Sequence, residues 1–394
     1  EDIALPTERV LGMLLILLAI SIATLLISIH PFITYPVTML LLPRKETKPQ
    51  NREFRPSLAL CMSVFNEGKV ITAKVRNLLE MKAAYSPAAS IHIYVDGADD
   101  DTASQLRQFG EAIDLVVSTD RNGKTYGLNL LMQRCESELM CFTDGNVVTP
   151  VDGLIELASH FADPQIGCVS GRLDYSNAGE TSTSAAGTLY WRFEEALKAI
   201  ESTTTGVIGV DGAFFMIRRA AYEPAPPHLI DDLYVSLAAL TRGYRVISAP
   251  EVVVYERSAV RWEEEFRRKR RIACQAFNVH RALWPRLRKL PAVTFYGYVS
   301  HRLLKWLSPF FALAGILTGA LAVYLAISTT KFVLLCSAAI AILAFCLLIR
   351  ARPLLIVFSG LTSLAGVAMG VLDSIFSNRT YTVWTPAMSV RPGD

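Results

Sequence analysis

The sequence lacks both a strong net charge and the paired cysteines of a disulfide or zinc framework. Its 39 lysines and arginines nearly balance 36 aspartates and glutamates, which gives a net charge of +3. No broad basic field therefore favours nucleic acid as a partner. The seven cysteines are odd in number and include no CxxC pair. Because disulfide frameworks and zinc sites need tighter patterns, we predict free thiols in a reducing compartment.

Long hydrophobic runs are present, and they are concentrated at the two ends of the 394-residue chain. Residues 10–29 form a run of bilayer-spanning length, which continues past Pro31 and Pro36. It is too long for a signal-peptide core and has no small-residue cleavage site, so we interpret 1–43 as a retained anchor that the prolines kink or split. Basic residues follow it directly: Arg44, Lys45 and Lys48. The positive-inside rule then predicts that the next segment is cytoplasmic.

Three more apolar runs, at about residues 305–327, 332–349 and 354–376, predict transmembrane helices within 293–380, before a tail at 381–394. The last run is the least regular because it contains Asp373 and three glycines. The side of the membrane on which the chain ends therefore stays open. Few charges lie inside these runs, which argues against a transporter.

Between a polar linker at 44–56 and residue 258, short apolar runs alternate with helical patterns. This alternation predicts an α/β domain over 57–258, with a parallel sheet and crossover helices. Strands are predicted at 58–64, 91–95, 115–118, 139–143, 207–217 and 246–254, and helices at 69–81, 128–134, 183–200 and 231–241. The helix at 183–200 carries an apolar stripe, which favours simple packing against the sheet.

The segment 259–292 differs from the rest because it combines aromatic residues at heptad spacing with five consecutive cations, Arg267–Arg271. Such a helix can lie in the membrane interface with its basic face toward phosphates. A solvated charged face explains the same periodicity, and both interpretations stay open.

Carboxylates follow several predicted strands, namely Glu67, Asp96 and Asp144, and the pair Asp231-Asp232 opens a predicted helix. The carboxyl ends of parallel strands share one edge of a sheet, where ligands bind. A nucleotide across that edge would offer its base to Asp96 and its phosphates to a divalent cation at Asp144, since hard oxygen ligands suit such ions. Each carboxylate alone is more simply a turn or helix-cap residue.

Two further residues each have a functional interpretation and a simpler structural one. Lys124 follows a glycine in a loop, where it can contact a phosphate or be solvated. Asp232 can cap its helix or, if aimed into the cleft, take a proton from an acceptor hydroxyl.

This ordered set resembles the family-2 glycosyltransferases with a GT-A (Rossmann-like) fold, a membrane-embedded inverting group that includes cellulose, chitin and hyaluronan synthases. The resemblance spans about residues 58–272. It is carried by Ser63-Val64-Phe65-Asn66-Glu67, Val95-Asp96-Gly97, Gly123-Lys124, Asp144-Gly145-Asn146 at the DxD position, Val210-Asp211-Gly212-Ala213-Phe214, Asp231-Asp232 and Arg268–Ile272 at the QxxRW position. Trp384-Thr385-Pro386 also looks like a tail found in some relatives.

The resemblance implies a nucleotide-sugar donor, a polysaccharide or lipid-linked acceptor, membrane lipids around the flanking helices, and a catalytic domain on the cytoplasmic side of a bacterial inner or plasma membrane. It implies catalytic roles for Asp231, Asp232 and Arg271. It also implies substrate binding by Asn66, Glu67, Asp96, Lys124, Asp144, Gly212 and Arg268, and Mg²⁺ or Mn²⁺ held by Asp144 and Asn146. A catalytically silent membrane protein that keeps the fold to bind a sugar nucleotide or a partner is the alternative.

Two motifs depart from the family pattern. Asn146 replaces the second DxD aspartate, and an amide is an uncharged, weaker metal ligand. Arg268-Lys269-Arg270-Arg271-Ile272 keeps the arginine of QxxRW but lacks its glutamine and tryptophan, which the family uses in processive synthesis. The second departure favours a limited, lipid-linked acceptor, whereas the family as a whole favours an exopolysaccharide-type product.

Overall fold

The computed structural model describes residues 7–44, 51–85, 88–348 and 352–383. Lys45, Lys48 and Trp384-Thr385-Pro386 lie outside the described residues. The strands are β1 (Leu58–Val64), β2 (Ala89–Asp96), β3 (Asp114–Ser118), β4 (Leu139–Thr143), β5 (Ile166–Tyr175), β6 (Phe214–Arg218) and β7 (Arg245–Glu256). The helices are α1 (Thr7–Ile29), α2 (Thr34–Leu40), α3 (Ile71–Tyr85), α4 (Thr102–Arg107), α5 (Lys124–Arg134), α6 (Gly153–Ser159), α7 (Ser182–Ser202), α8 (Asp231–Thr241), α9 (Trp262–Leu287), α10 (Ala292–Gly297), α11 (Leu304–Ala326), α12 (Thr329–Leu348) and α13 (Arg352–Phe376).

The sheet is mixed, which corrects the prediction of a fully parallel sheet. Its order is β3-β2-β1-β4-β6-β5-β7. The first four strands in this order are parallel, but β6 runs antiparallel to both β4 and β5. Since β6 opposes β4, Phe214 at its start pairs with Thr143 at the end of β4. The loop that precedes β6 is thereby placed beside Asp144.

Two strand predictions differ from the structure near this loop. Of the predicted strand at 207–217, only β6 forms, and the preceding residues make a loop in which Gly206 and Gly209 have φ of 87° and 85°. Only glycine adopts this left-handed conformation readily, so an extended strand is interrupted there. β5 was not predicted, because Gly171, Arg172 and Asp174 break its apolar run.

Helices cover both faces of the sheet, and alternate residues of each central strand point to opposite faces. In β1, Cys61 packs into the cluster that contains α5, α8 and α9 residues, whereas Leu60 and Met62 pack into the cluster with α3 and α6. The sheet is therefore buried on both sides, which matches the near-continuous apolar sequence of its central strands.

Helix α7 differs from the predicted apolar packing. Leu189 of the apolar stripe is 58% exposed, while the buried face carries charged residues. Lys198 bonds Glu195 at 2.7 Å, and Glu201 accepts a bond from Tyr35 of α2 at 2.6 Å. A buried charge is tolerated when it is paired, and these partners come partly from distant segments that helical periodicity does not reveal.

Among the described residues, three helical segments are long and apolar enough to cross a membrane: Val10–Ile29, Ala292–Ala326 and Pro353–Phe376. α1 ends at Ile29 and α2 begins at Thr34, so the first run is split at Pro31, whereas Pro36 lies in the first turn of α2. The predicted run at 332–349 falls mainly in α12, an apolar helix of 20 residues.

α9 packs along α13 through Asp373 and glycines of α13, the residues that interrupt the last apolar run of the sequence. A Cβ atom on Gly366 would lie 2.9 Å from the Phe266 carbonyl oxygen, so glycine allows the two helices to approach closely. Arg270 of the basic run donates to Asp373 at 2.7 Å. Arg270 thus takes part in this helix contact, and the basic run also lines the cavity described below. The interfacial position of this helix stays a prediction.

Candidate active site

A cavity of about 1220 Å³ lies at the carboxyl ends of β1, β2 and β4 and extends along α7, α9 and α13. Asn66 is the one predicted site residue that does not line it; this residue has φ of 52° and accepts a bond from the Asp99 backbone, so it shapes the turn after β1. The other predicted site residues all line the cavity: Glu67, Asp96, Lys124, Asp144, Asn146, Gly212, Asp231, Asp232, Arg268 and Arg271.

Asp96 anchors the loop that leads into α5. Its carboxylate is 2% exposed and accepts bonds from the Asn122 and Gly123 backbone amides at 2.7 and 3.0 Å. The Arg121 side chain also donates to it and lies 3.3 Å over the Phe65 ring. Asp96 thus holds the loop that presents Lys124, and its predicted contact with a nucleotide base stays a prediction.

Lys124 begins α5 and stands among carboxylates. Its Nζ atom is 2.7 Å from Asp144 Oδ1 and 3.7 Å from Asp231 Oδ2. Burial alone lowers the pKa of Lys124, but the surrounding carboxylates outweigh it and raise the pKa. The side chain is therefore a charged ammonium group, suited to contact phosphate oxygens.

Asp231 and Asp232 lie in the first turn of α8, where the helix dipole favours negative charge. Burial, reinforced by the charge of Asp231, raises the pKa of Asp232 to about 7. Gly212 lies directly against this carboxylate: a Cβ atom there would be 2.9 Å from Asp232 Oδ2. A carboxylate with a pKa near neutrality that faces a cavity has the properties of a general base.

Arg268 and Arg271 are three residues apart on α9 and therefore share one face of the helix. Contact with Tyr175, followed by the charge of Glu265, raises the pKa of Arg268. Burial and the neighbouring Arg268 lower the pKa of Arg271 to about 10. A guanidinium group that is buried beside a like charge gains stability from an anion, so this face suits a diphosphate.

The residues around Asp144 fit a divalent cation that arrives with a substrate. The Asp144 side chain is partly exposed to the cavity, and the Asn146 amide nitrogen donates to Glu256 at 3.1 Å, which orients the amide. Within the described residues, no cluster of three His, Cys, Asp or Glu side chains is arranged around a metal position. Mg²⁺ commonly needs only one or two carboxylates when substrate phosphates supply further ligands.

Glu256, Tyr190 and Trp191 are among the cavity residues that were not predicted from the sequence. Glu256 is the last residue of β7, two residues beyond the predicted strand end, so extending that strand would have revealed another strand-end carboxylate. Tyr190 and Trp191 project from α7 into the cavity wall. Their helix was assigned to packing, and no local signal distinguishes a packing aromatic residue from a cavity-lining one.

Comparisons with known proteins show to which family and fold the chain is similar. The family described as "Glycosyltransferase like family 2" matches residues 56–275. An N-acetylglucosaminyltransferase of Rhizobium meliloti (strain 1021) is 23% identical over 248 residues, which cover 56% of this chain and 58% of the relative. An N-acetylglucosaminyltransferase of Rhizobium leguminosarum bv. viciae is 23% identical over 236 residues, which cover 52% and 55%. The chain thus spans a little over half the length of these curated relatives.

Among solved structures, the mannosyltransferase PcManGT from Pyrobaculum calidifontis, in complex with GDP-Man and Mn²⁺, shares the fold with a TM-score of 0.69 at 22% identity. The similarity covers 92% of this chain and all of that one. The relation to cellulose, chitin and hyaluronan synthases stays a prediction. Since the family match extends over more than half of the chain, the protein belongs to glycosyltransferase-like family 2 and has the GT-A fold, flanked by apolar helices.

Proposed function

We propose that the protein is a membrane-bound inverting glycosyltransferase, which moves a sugar from a nucleotide-diphosphate sugar to a hydroxyl group of a polysaccharide or lipid-linked acceptor. The observation that supports this most directly is that Lys124, Asp144 and Asp232, far apart in the chain, line one cavity. The relatives named N-acetylglucosaminyltransferases make N-acetylglucosaminyl donors the first to test.

In the proposed reaction, Asp232 accepts the proton of the acceptor hydroxyl. The hydroxyl oxygen attacks the anomeric carbon from the side opposite the leaving diphosphate, so the anomeric configuration inverts. Positioned proton transfer of this kind contributes roughly 10²- to 10⁴-fold to a rate. A pKa of about 7 supports the role, because about half of the carboxylate is then ionised at neutral pH and it is basic enough to hold a proton.

The departing nucleoside diphosphate carries the charge that the site has to stabilise. Lys124, Arg268 and Arg271 line the cavity as the cations available for its oxygens. Asp144 and Asn146 are the residues that would hold Mg²⁺ or Mn²⁺, which as a Lewis acid neutralises diphosphate charge. Asp231, 3.7 Å from Lys124, helps to keep that amine charged and correctly placed.

The membrane assignment forms part of the proposal. The segments Val10–Ile29, Ala292–Ala326 and Pro353–Phe376 are proposed to cross the bilayer, with the domain at 57–258 on its cytoplasmic side. With this arrangement the cavity, which reaches α13, connects the catalytic carboxylates with the membrane-length helices. We assign the product to polysaccharide or other glycan synthesis.

The direct test is sugar-nucleotide-dependent release of free nucleotide by detergent-solubilised protein, measured over a panel of nucleotide sugars and followed by sizing of the product. We expect Asp232→Asn to abolish release while nucleotide binding persists. Asp152→Asn is the matched control, because Asp152 is exposed at the start of α6 and away from the cavity. Absence of release with every donor would favour the catalytically silent alternative, and unaltered turnover of Asp232→Asn would mean that another residue is the base.

A further inference from the structure

One face of α13 lines the same cavity as the catalytic carboxylates. The α13 residues that line the cavity are Val357, Gly360, Leu361, Ser363, Leu364 and Val367. All except Ser363 recur at helical spacing and form the cavity-lining face, with Ser363 at its edge. The opposite face of the helix, which includes Gly366, Gly370 and Asp373, is the one that packs against α9.

This face borders open space. Val357 and Leu361 are 57% and 59% exposed. A Cβ atom on Gly360 would meet no atom within 4 Å. Because Pro353–Phe376 is of membrane-spanning length, the open face lies at the depth of the hydrocarbon layer if the helix crosses the bilayer.

Cationic and aromatic side chains line the same cavity as this face. Lys269 Nζ is 4.6 Å from the centre of the Tyr190 ring and 3.4 Å from Glu265. Lys305 Nζ is 5.7 Å from the same ring and bonds Glu194 at 2.7 Å. A mostly apolar groove, cations beside an aromatic ring, and a proposed catalytic carboxylate therefore line a single cavity. This combination matches an amphiphile with a hydrocarbon tail and an anionic headgroup.

A sugar polymer matches the groove poorly. Five of the six α13 residues that line the cavity are valine, glycine or leucine, and among these six only Ser363 carries a hydrogen-bonding side chain, whereas sugar hydroxyls taken out of water need several partners. A hydrocarbon chain can cover this apolar surface without leaving any polar group unpaired.

We propose that the acceptor is a membrane lipid whose hydrocarbon chain lies along Val357–Val367 of α13 and whose phosphate-bearing headgroup contacts Lys269 beside the Tyr190 ring. The inference rests on the proposed glycosyltransferase function and names its acceptor class. The bond from the anomeric carbon to the nucleoside diphosphate breaks, and a new bond forms to a hydroxyl oxygen of the headgroup. The hydroxyl proton passes to Asp232 and the nucleoside diphosphate leaves.

The test uses membranes that contain the full chain, together with the radiolabelled form of the donor that the nucleotide-release screen selects. The product is partitioned between chloroform–methanol and water. We expect the label in the organic phase, and we expect Leu361→Trp and Gly360→Leu, which fill the groove, to reduce it at least tenfold while nucleotide binding is kept. Leu372→Trp is the matched control, since Leu372 is 40% exposed on the same helix but does not line the cavity.

The outcomes separate this inference from the proposed function. Nucleotide release with label only in water-soluble or ethanol-insoluble product would overturn the lipid acceptor and leave the glycosyltransferase standing. Organic-phase label that both groove-filling variants leave unchanged would also overturn the groove. No nucleotide release with any donor would overturn the glycosyltransferase function itself, and the lipid acceptor with it.

Discussion

Replacement of Gly212 by alanine tests whether the position of Asp232, rather than its mere presence, sets the rate. The new Cβ atom would lie 2.9 Å from Asp232 Oδ2 and 3.1 Å from Lys124 Nζ, whereas ordinary contacts begin at 3.4 Å. The carboxylate therefore has to retreat by about 0.5 Å. Since a misplacement of roughly 1 Å costs about 10²-fold in rate, we expect kcat to fall about tenfold, or about 1.4 kcal/mol.

The fold should tolerate the same substitution, because the atoms that must move are the ends of flexible side chains. We expect the free energy of unfolding to change by less than about 1 kcal/mol and Tm by less than about 4 °C. Nucleotide release at saturating donor measures kcat, and a thermal unfolding assay in detergent measures Tm. Gly179→Ala is the control, as a Cβ atom there meets nothing within 4 Å. Native turnover in Gly212→Ala, or an equal loss in Gly179→Ala, would refute the reasoning.

Three other predictions concern pH, metal dependence and stability. A general base acts when it is ionised, and the pKa of Asp232 is about 7. Turnover should therefore rise about tenfold per pH unit below pH 7 and level off above it. A flat pH profile from 5.5 to 8.5 would contradict the assignment of Asp232 as the base. Glu256→Leu removes the group that orients the Asn146 amide, so the Mn²⁺ concentration for half-maximal turnover should rise roughly tenfold or more. An unchanged Mn²⁺ titration would exclude a role for Glu256 in orienting a metal ligand. Lys198→Met leaves the buried Glu195 and the half-buried Asp211 without their cation. It should cost roughly 3–5 kcal/mol of stability, seen as a lower Tm, whereas Arg134→Ala at an exposed pair should cost under about 1 kcal/mol.

The predicted site residues show where reasoning from local sequence succeeds. A buried strand is apolar until it reaches the edge of the sheet, where a polar residue and a glycine mark its end. Asp96 and Asp144 follow this rule, so a local pattern was enough to place them at the carboxyl ends of β2 and β4. Asn66 follows the same rule but turns away from the cavity, because its left-handed backbone directs its side chain to Asp99. Strand ends thus identify candidates, and backbone conformation decides which of them face the ligand.

The sequence alone determined the alternation of strands and helices, the apolar runs at both ends and the carboxylates at the strand ends, because each of these depends on neighbours within a few residues. Only the tertiary structure decided the antiparallel direction of β6, the buried charges of α7 and the α13 face that opens into the cavity. These features arise from contacts between distant segments, such as the 2.7 Å bond between Glu194 and Lys305. Such a contact stabilises charges that are unfavourable in isolation, and neither partner's local sequence contains information about the other.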